Sequence, residues 1–178
     1  ADAERKTHFG HTGWRQIDGA WAYLHAGGAV GAENVSVRLS HEYQRLRLPA
    51  APENEAEAIQ TSLSFLDIGK HEITLPLLAY TFLAPLTTIL PTMPNFSLHI
   101  FGTSGSFKTT LAALCLSHFG NFSAINELPN FNDTAGSIEK RAFRMKDALF
   151  LLDDYTPSHA RQQRERKEDV AQAAIRAF

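Results

Sequence analysis

A loop rich in glycine and serine separates an apolar run from a segment with helical spacing at residues 96–119. The run Phe96-Ser-Leu-His-Ile-Phe101 favours a β-strand and stops at Gly102. Residues 109–119, TTLAALCLSHF, then place apolar side chains at the spacing of an α-helix. A strand, a glycine loop and a helix in this order strongly limit what the chain can fold into, and they predict an α/β domain with a parallel sheet.

The loop GTSGSFKTT at residues 102–110 differs at one position from the pattern of a phosphate-binding loop (P-loop). That pattern is Gly, four residues, then Gly-Lys-Ser/Thr, and Phe107 stands where the second Gly is usual. In such a loop, consecutive backbone N–H groups and the positive end of the following helix bind phosphate. The predicted ATP-binding residues are Gly102, Thr103, Ser104, Gly105, Ser106, Phe107, Lys108, Thr109 and Thr110.

Three residues of this loop have predicted roles of their own. We expect Lys108 to contact the terminal phosphates as a catalytic point charge, and the Thr109 hydroxyl to help hold Mg²⁺. We expect Phe107 to adopt ordinary helical angles, with its ring packed against the core or around the nucleotide. The alternatives are a plain turn between strand and helix, and a degenerate loop that binds no nucleotide.

A second predicted half of the site follows the apolar run Ala148-Leu-Phe-Leu-Leu152, which is typical of a buried parallel strand. It ends in Asp153 and Asp154. Because parallel strands converge at their C-terminal ends, Asp153 is predicted to lie near Thr109 and to bind Mg²⁺. Asp154 is predicted to be catalytic, since it would polarise the attacking water. Two solvated acids in a loop are the alternative.

The length and the composition indicate a globular protein with a modest core. The 178 residues divide into a predicted β-rich module at 1–52, a helical connector at 53–94 and a nucleotide-binding core at 95–178. A short strand is also expected near residues 122–125. The formal net charge of −2 gives no overall electrostatic attraction to nucleic acid. The only cysteine, Cys115, excludes an internal disulfide and favours a cytoplasmic location.

The uncharged segment at residues 73–90 is nearly long enough to span a bilayer. Because Pro76 and Pro85 interrupt it, we favour a buried helix beneath the nucleotide-binding core and expect no membrane partner.

Two polar segments have both a structural and a functional interpretation. Asp133 and Thr134 could face the nucleotide, or could cap the helix that follows them. The basic residues of the C-terminal helix could contact nucleic acid or a neighbouring subunit's phosphates, although interspersed acids favour a solvated helix face. These basic residues are Arg161, Arg164, Arg166 and Lys167.

Four segments together resemble a known family: GWRQIDGAWAYLHAGGAVG, GTSGSFKTTLA, FNDTAGSIEKRAF and FLLDDYTP. They are similar to the domain-of-unknown-function family DUF927 of bacterial and phage-associated proteins, and the resemblance extends from about His8 to Pro157. It implies a helicase-like P-loop ATPase of the additional-strand type, related to the replicative helicases of mobile elements.

The resemblance implies a motor that acts on DNA or RNA in mobile-element or phage replication, as a homo-oligomer when full length. Only residues 155–178 follow Asp154, which leaves no room for a strand with a polar sensor or for an arginine acting across a subunit interface. We therefore expect a fragment, truncated at its C-terminus and weak or inactive as an ATP hydrolase alone. The alternatives are a module that binds ATP without efficient hydrolysis, and a small-molecule kinase.

Overall fold

The computed structural model describes residues 7–92, 96–122, 128–155 and 160–176, and it shows a mixed α/β protein. Its strands all lie in the N-terminal part of the described chain: β1 (His8–Phe9), β2 (Gly13–Ile17), β3 (Ala20–His25), β4 (Gly28–Val30) and β5 (Ser36–Val37). Its α-helices follow: α1 (Glu55–Leu63), α2 (His71–Leu83), α3 (Lys108–Leu116), α4 (Ala135–Arg144) and α5 (Arg161–Arg176). Short 3₁₀ turns extend α1, α2 and α3 at their C-terminal ends.

The N-terminal strands form two small sheets. Strands β2, β3 and β4 are antiparallel in that order, with Gly13 opposite Leu24 and His25 opposite Gly28. The turn between β2 and β3 is Asp18-Gly19, and both residues have positive φ, 51° and 84°. Two positive φ values match the twist of a two-residue hairpin. Strands β1 and β5 pair in parallel, with Phe9 opposite Val37.

The two predicted strands of the nucleotide-binding core are not strands in this structure. Residues 96–101 and 148–152 have no ladder, and one isolated parallel bridge joins Asn130 to Asp153. A strand needs a hydrogen-bonded neighbour, and residues 96–99 and 101 are exposed. Ala148 and Leu149 are buried by side-chain packing instead. The strand expected near residues 122–125 lies almost entirely outside the described residues.

One hydrophobic core draws on all three predicted segments of the chain. It includes Leu24 from β3, Leu77 from α2 and Leu116 from α3. Helix α2 buries Leu77 and Leu78 on one face, whereas Ile73 and Leu75 stay largely exposed. The buried helix predicted at residues 73–90 is therefore buried on one side only. Among the described residues, no helix combines the length and the apolar character needed to cross a membrane.

A buried carboxylate, Asp147, attaches the N-terminal sheet to the chain that leads toward Asp153. Its oxygens accept hydrogen bonds from the backbone N–H of Trp14 and from the hydroxyls of Thr87 and Thr88. The Lys146 ammonium lies 2.6 Å from the same carboxylate. We call Asp147 with these partners the Asp147 network. It fixes the start of the segment at 148–153 against strand β2 and against the chain that follows α2.

Candidate phosphate-binding loop and acidic pair

The predicted phosphate-binding loop lies on the surface, immediately before α3. Residues 101–107 are exposed, while Ala112, Cys115 and Leu116 on α3 are buried in the core. The helix is thus anchored by its apolar face, and its N-terminal end presents the loop to solvent. This arrangement is the one that lets a helix N-terminus bind an anion.

The N–H groups of the loop are unpaired. Within the described residues, the backbone N–H groups of residues 103–107 donate to no acceptor in the protein. Consecutive N–H groups without partners form a concave donor surface for anions. An anion bound here would satisfy groups that otherwise depend on water.

The Lys108 ammonium is folded back onto the loop. It donates to the carbonyl oxygens of Thr103 at 2.8 Å and Gly102 at 3.1 Å, and it lies 3.4 Å from the Ser106 hydroxyl. The Ser106 hydroxyl itself donates to the Thr103 carbonyl oxygen at 2.8 Å. The lysine charge is therefore already positioned beside the loop, held by neutral acceptors that a phosphate could replace.

The expectation of ordinary helical angles at Phe107 was wrong, and its ring does not pack against the core. Packing of the ring around a nucleotide stays a prediction. The residue lies in the left-handed region, with φ 57° and ψ 21°, and its side chain is 74% exposed. The helical hydrogen bonds start at its carbonyl oxygen, which accepts from the N–H of Leu111. Helix α3 begins at Lys108, and Phe107 is the residue at which the chain changes direction from the loop into the helix. A non-glycine residue in this region costs roughly 1–2 kcal/mol, so the loop keeps a glycine-like backbone despite a bulky side chain.

The acidic pair lies beside residues 129–131. The N–H of Asp153 donates to the Pro129 carbonyl oxygen at 2.9 Å, and the Asp153 carbonyl oxygen accepts from the N–H of Phe131 at 3.3 Å. The Asp153 side chain accepts a hydrogen bond from the N–H of Asp154 at 2.8 Å, through Oδ1. Asp154 is exposed and has a left-handed φ of 61°.

The family of the chain follows from a match over the part that contains both features. Residues 65–168 match the family model described as "Domain of unknown function (DUF927)". The chain belongs to this family. The match starts later than the resemblance drawn from the sequence, so the N-terminal sheet lies outside the DUF927 region. No curated protein and no solved structure matches the chain.

The structure does not link the two halves of the predicted site directly. In the described residues, no hydrogen bond or ion pair joins Asp153 to Lys108 or Thr109. The described parts of this DUF927 chain also contain no group of three or more His, Cys, Asp or Glu suited to a metal. The closeness of Asp153 and Thr109 stays a prediction.

The available oxygen atoms nevertheless fit magnesium chemically. Asp153 Oδ1 is engaged by the Asp154 N–H, whereas Oδ2 has no hydrogen-bond partner in the described protein. The Thr109 hydroxyl is half-buried and likewise donates to no described group. Mg²⁺ is commonly held by one or two carboxylates together with phosphate oxygens and waters, so a cluster of three protein acids is not required.

Of Asp133 and Thr134, the structure shows the capping role for Thr134 alone. The Thr134 hydroxyl oxygen accepts a hydrogen bond from the N–H of Ser137 at 3.2 Å and so caps α4. Asp133 accepts from the N–H of Asn130 at 3.2 Å and lies 3.9 Å from Arg141. These contacts stabilise the turn beside the acidic pair.

The basic residues of α5 divide into two groups. Arg161 pairs with Glu165 at 2.7 Å, and Arg164 is exposed. Arg166 donates to the Asn132 carbonyl oxygen at 2.8 Å, and the Lys167 ammonium lies 5.8 Å from the centroid of the Tyr155 ring. A role for Tyr155 and these two contacts were not predicted from the sequence. The only local signal was an aromatic residue directly after the acidic pair.

Proposed function

We propose that this DUF927 protein is an ATP-binding P-loop ATPase, and that the loop at residues 102–110 binds the phosphates. The observation that carries the proposal is the row of unpaired, exposed N–H groups at residues 103–107, directly before a helix that starts with Lys108. Phosphate is the common biological anion that uses such a row together with a lysine.

In this proposal the lysine exchanges its acceptors when nucleotide binds. The Lys108 ammonium would leave the carbonyl oxygens of Gly102 and Thr103 and contact the terminal phosphates. A charge-assisted hydrogen bond to phosphate is about twice as strong as one to a neutral carbonyl. The exchange therefore favours a nucleoside triphosphate over an empty loop.

The acidic pair would supply the remaining roles. Thr109 and Asp153 would hold magnesium, which neutralises developing phosphate charge when it is bound. The Asp154 carboxylate would orient and polarise the attacking water. These assignments require the loop and residues 153–154 to come together around the nucleotide.

We propose a helicase-like motor as the output, working on DNA or RNA as an oligomer in mobile-element or phage replication. The second candidate is a module that binds ATP without efficient turnover. A small-molecule kinase is the third.

Nucleotide binding is tested by Lys108→Met, with Lys140→Met as the matched control. Lys140 is an exposed lysine on α4, outside the loop. Isothermal titration calorimetry with Mg·ATP should show about 10- to 100-fold weaker binding for Lys108→Met, because a charged hydrogen bond contributes roughly 1.5–3 kcal/mol. Lys140→Met should bind like the wild type. Equal affinities for all three proteins, or no binding by any, would contradict the proposal.

The output is tested by Asp154→Asn in the natural full-length protein. A motor shows ATP hydrolysis that nucleic acid stimulates, and Asp154→Asn should abolish hydrolysis while ATP still binds. Tight ATP binding without turnover by the wild-type oligomer would select the gated module. Phosphate transfer to a small acceptor would select the kinase.

A further inference from the structure

Helix α5 contacts the chain on both sides of the acidic pair. On one side, Lys167 lies over the ring of Tyr155, the residue directly after Asp154. On the other side, Arg166 donates to the carbonyl oxygen of Asn132, next to the residues that pair with Asp153. Two consecutive residues of one helix therefore hold both segments.

The Tyr155 ring is itself packed between two partners. It forms a T-shaped pair with the ring of Phe131, with centroids 5.0 Å apart and planes at 75°, and the Lys167 ammonium is its second partner. An edge-to-face aromatic pair and a cation over a ring face are both attractive arrangements. We call Phe131, Tyr155 and Lys167 the aromatic clamp.

The aromatic clamp and the backbone pairing of Asp153 share a residue. The N–H of Phe131 donates to the Asp153 carbonyl oxygen, while the Phe131 ring packs on Tyr155. Asp154 is thus flanked on each side by a residue attached to Phe131. Its own φ of 61° lies in the left-handed region, which aspartate tolerates better than most residues but which is still uncommon, so contacts on both sides help to keep this one conformation.

We propose that Tyr155 is a positioning residue: the aromatic clamp holds the left-handed turn at Asp154 and thereby orients both carboxylates of the acidic pair. The effect of the clamp on catalysis rests on the proposed function, because it assumes that Asp154 orients water and that Asp153 holds magnesium. The clamp also gives α5 a role that the basic residues alone do not suggest. Arg166 and Lys167 act within the chain, and a movement of α5 would change the geometry at Asp154.

The first test measures the turn itself and needs no nucleotide. The Asp154 N–H donates to Asp153 Oδ1, so its hydrogen exchange, measured by NMR and corrected for the intrinsic rate of each sequence, reports whether the turn is held. Tyr155→Ala should lower this protection about three- to tenfold, the loss that follows from removing a ring pair and a cation–π contact. Tyr155→Phe keeps the ring and should restore protection to the wild-type level.

Two charge-removing substitutions on α5 provide a matched comparison. Lys167→Met removes the cation over Tyr155 and should lower Asp154 protection about twofold or more. Arg164→Met removes an equal charge from an exposed position of the same helix, outside the aromatic clamp, and should leave the protection unchanged. If Tyr155→Ala fails to fold, the comparison of Lys167→Met with Arg164→Met tests the proposal by itself. Wild-type protection in Tyr155→Ala, or equal effects of Lys167→Met and Arg164→Met, would overturn the proposal.

The second test separates the clamp from the proposed function. If the wild type hydrolyses ATP, Tyr155→Ala should lower kcat about threefold or more and leave the dissociation constant for ATP unchanged. Tyr155→Phe should retain the wild-type kcat. An unchanged kcat in Tyr155→Ala overturns the catalytic role of the clamp. If the wild type neither binds nor hydrolyses ATP, the proposed function fails, and the exchange measurement still decides whether Tyr155 positions Asp154.

Discussion

The Asp147 carboxylate accepts a hydrogen bond from the backbone N–H of Trp14 at 2.8 Å, and so joins the first hairpin to the chain that follows α4. The same side chain accepts hydroxyl hydrogen bonds from Thr87 at 3.0 Å and Thr88 at 2.6 Å. Strand β2, the end of the α2 region and the approach to the acidic pair therefore meet at one buried acid. The N-terminal sheet and the DUF927 region share this polar network as well as the hydrophobic core.

Asp147→Asn is expected to lower the free energy of unfolding by about 2 kcal/mol at neutral pH, the magnitude for hydrogen bonds to a buried charged group. Burial raises the pKa of Asp147, but hydrogen bonds from Lys146, Thr88 and Trp14 outweigh this effect and leave the pKa below the ordinary value of 3.8 for an aspartate. A lowered pKa means that the folded state favours the carboxylate. Its stabilisation is complete above pH 3.8 and is lost as the pH falls through the folded-state pKa. Urea titrations from pH 7 downward measure both effects.

Asp18→Asn is the control for this substitution. Asp18 has a left-handed φ of 51°, close to the 54° of Asp147, but it is exposed in the β2–β3 turn. Asparagine tolerates this backbone region as well as aspartate does. Asp18→Asn should change stability by less than about 0.5 kcal/mol. An equal loss in both variants would show that the backbone, and not the hydrogen-bond network, is responsible.

The helices and one hairpin turn of this protein could be predicted because their signals are local. The apolar spacing at residues 109–119 reflects the buried face of α3, and Asp18-Gly19 and Thr134 work through their own backbone neighbourhood. Apolar character alone could not decide whether residues 96–101 and 148–152 form strands, because a strand is defined by its hydrogen-bonded neighbour. Leu149 is buried without such a ladder.

In the candidate site too, local features could be predicted from the sequence and features that depend on packing could not. The loop and the acidic pair were found from residue types at a fixed spacing, whereas the left-handed φ of Phe107 depends on how α3 is anchored. Tyr155 was missed because its partners are Phe131 and Lys167, which are distant in sequence and come together only through the packing of α4 and α5.

Phe107→Gly is expected to stabilise the protein by up to about 1 kcal/mol. Phe107 has a φ of 57° and a largely exposed ring, so glycine removes backbone strain and loses little packing. The gain is limited by the greater freedom of glycine in the unfolded chain. Urea denaturation followed by tryptophan fluorescence measures the difference, and Mg·ATP affinity should be equal to or higher than that of the wild type.

Phe101→Gly is the matched control for the loop. Phe101 is a phenylalanine directly before the loop and is 87% exposed, but unlike Phe107 it does not have a positive φ. Glycine there relieves no strain, increases the entropy of the unfolded chain and removes the ring contact with His99, so the variant should be destabilised by about 0.5–1 kcal/mol. If Phe107→Gly is destabilised by as much as Phe101→Gly, the inference that the backbone is strained at position 107 is wrong.

Gly120→Ala is expected to destabilise the protein by about 1–3 kcal/mol, through a backbone collision at the end of the α3 region. Gly120 has a φ of 150°, and a Cβ atom there would collide with the Arg45 carbonyl oxygen and lie 3.0 Å from the Arg47 nitrogen. These are backbone atoms, so they cannot move aside as a flexible side chain would. Gly136→Ala on α4 is the control, because its Cβ would meet nothing within 4 Å. Alanine should stabilise that helix by up to about 1 kcal/mol. Urea denaturation should therefore move the two midpoints in opposite directions, and a shift of both in the same direction would rule out the close approach at Gly120.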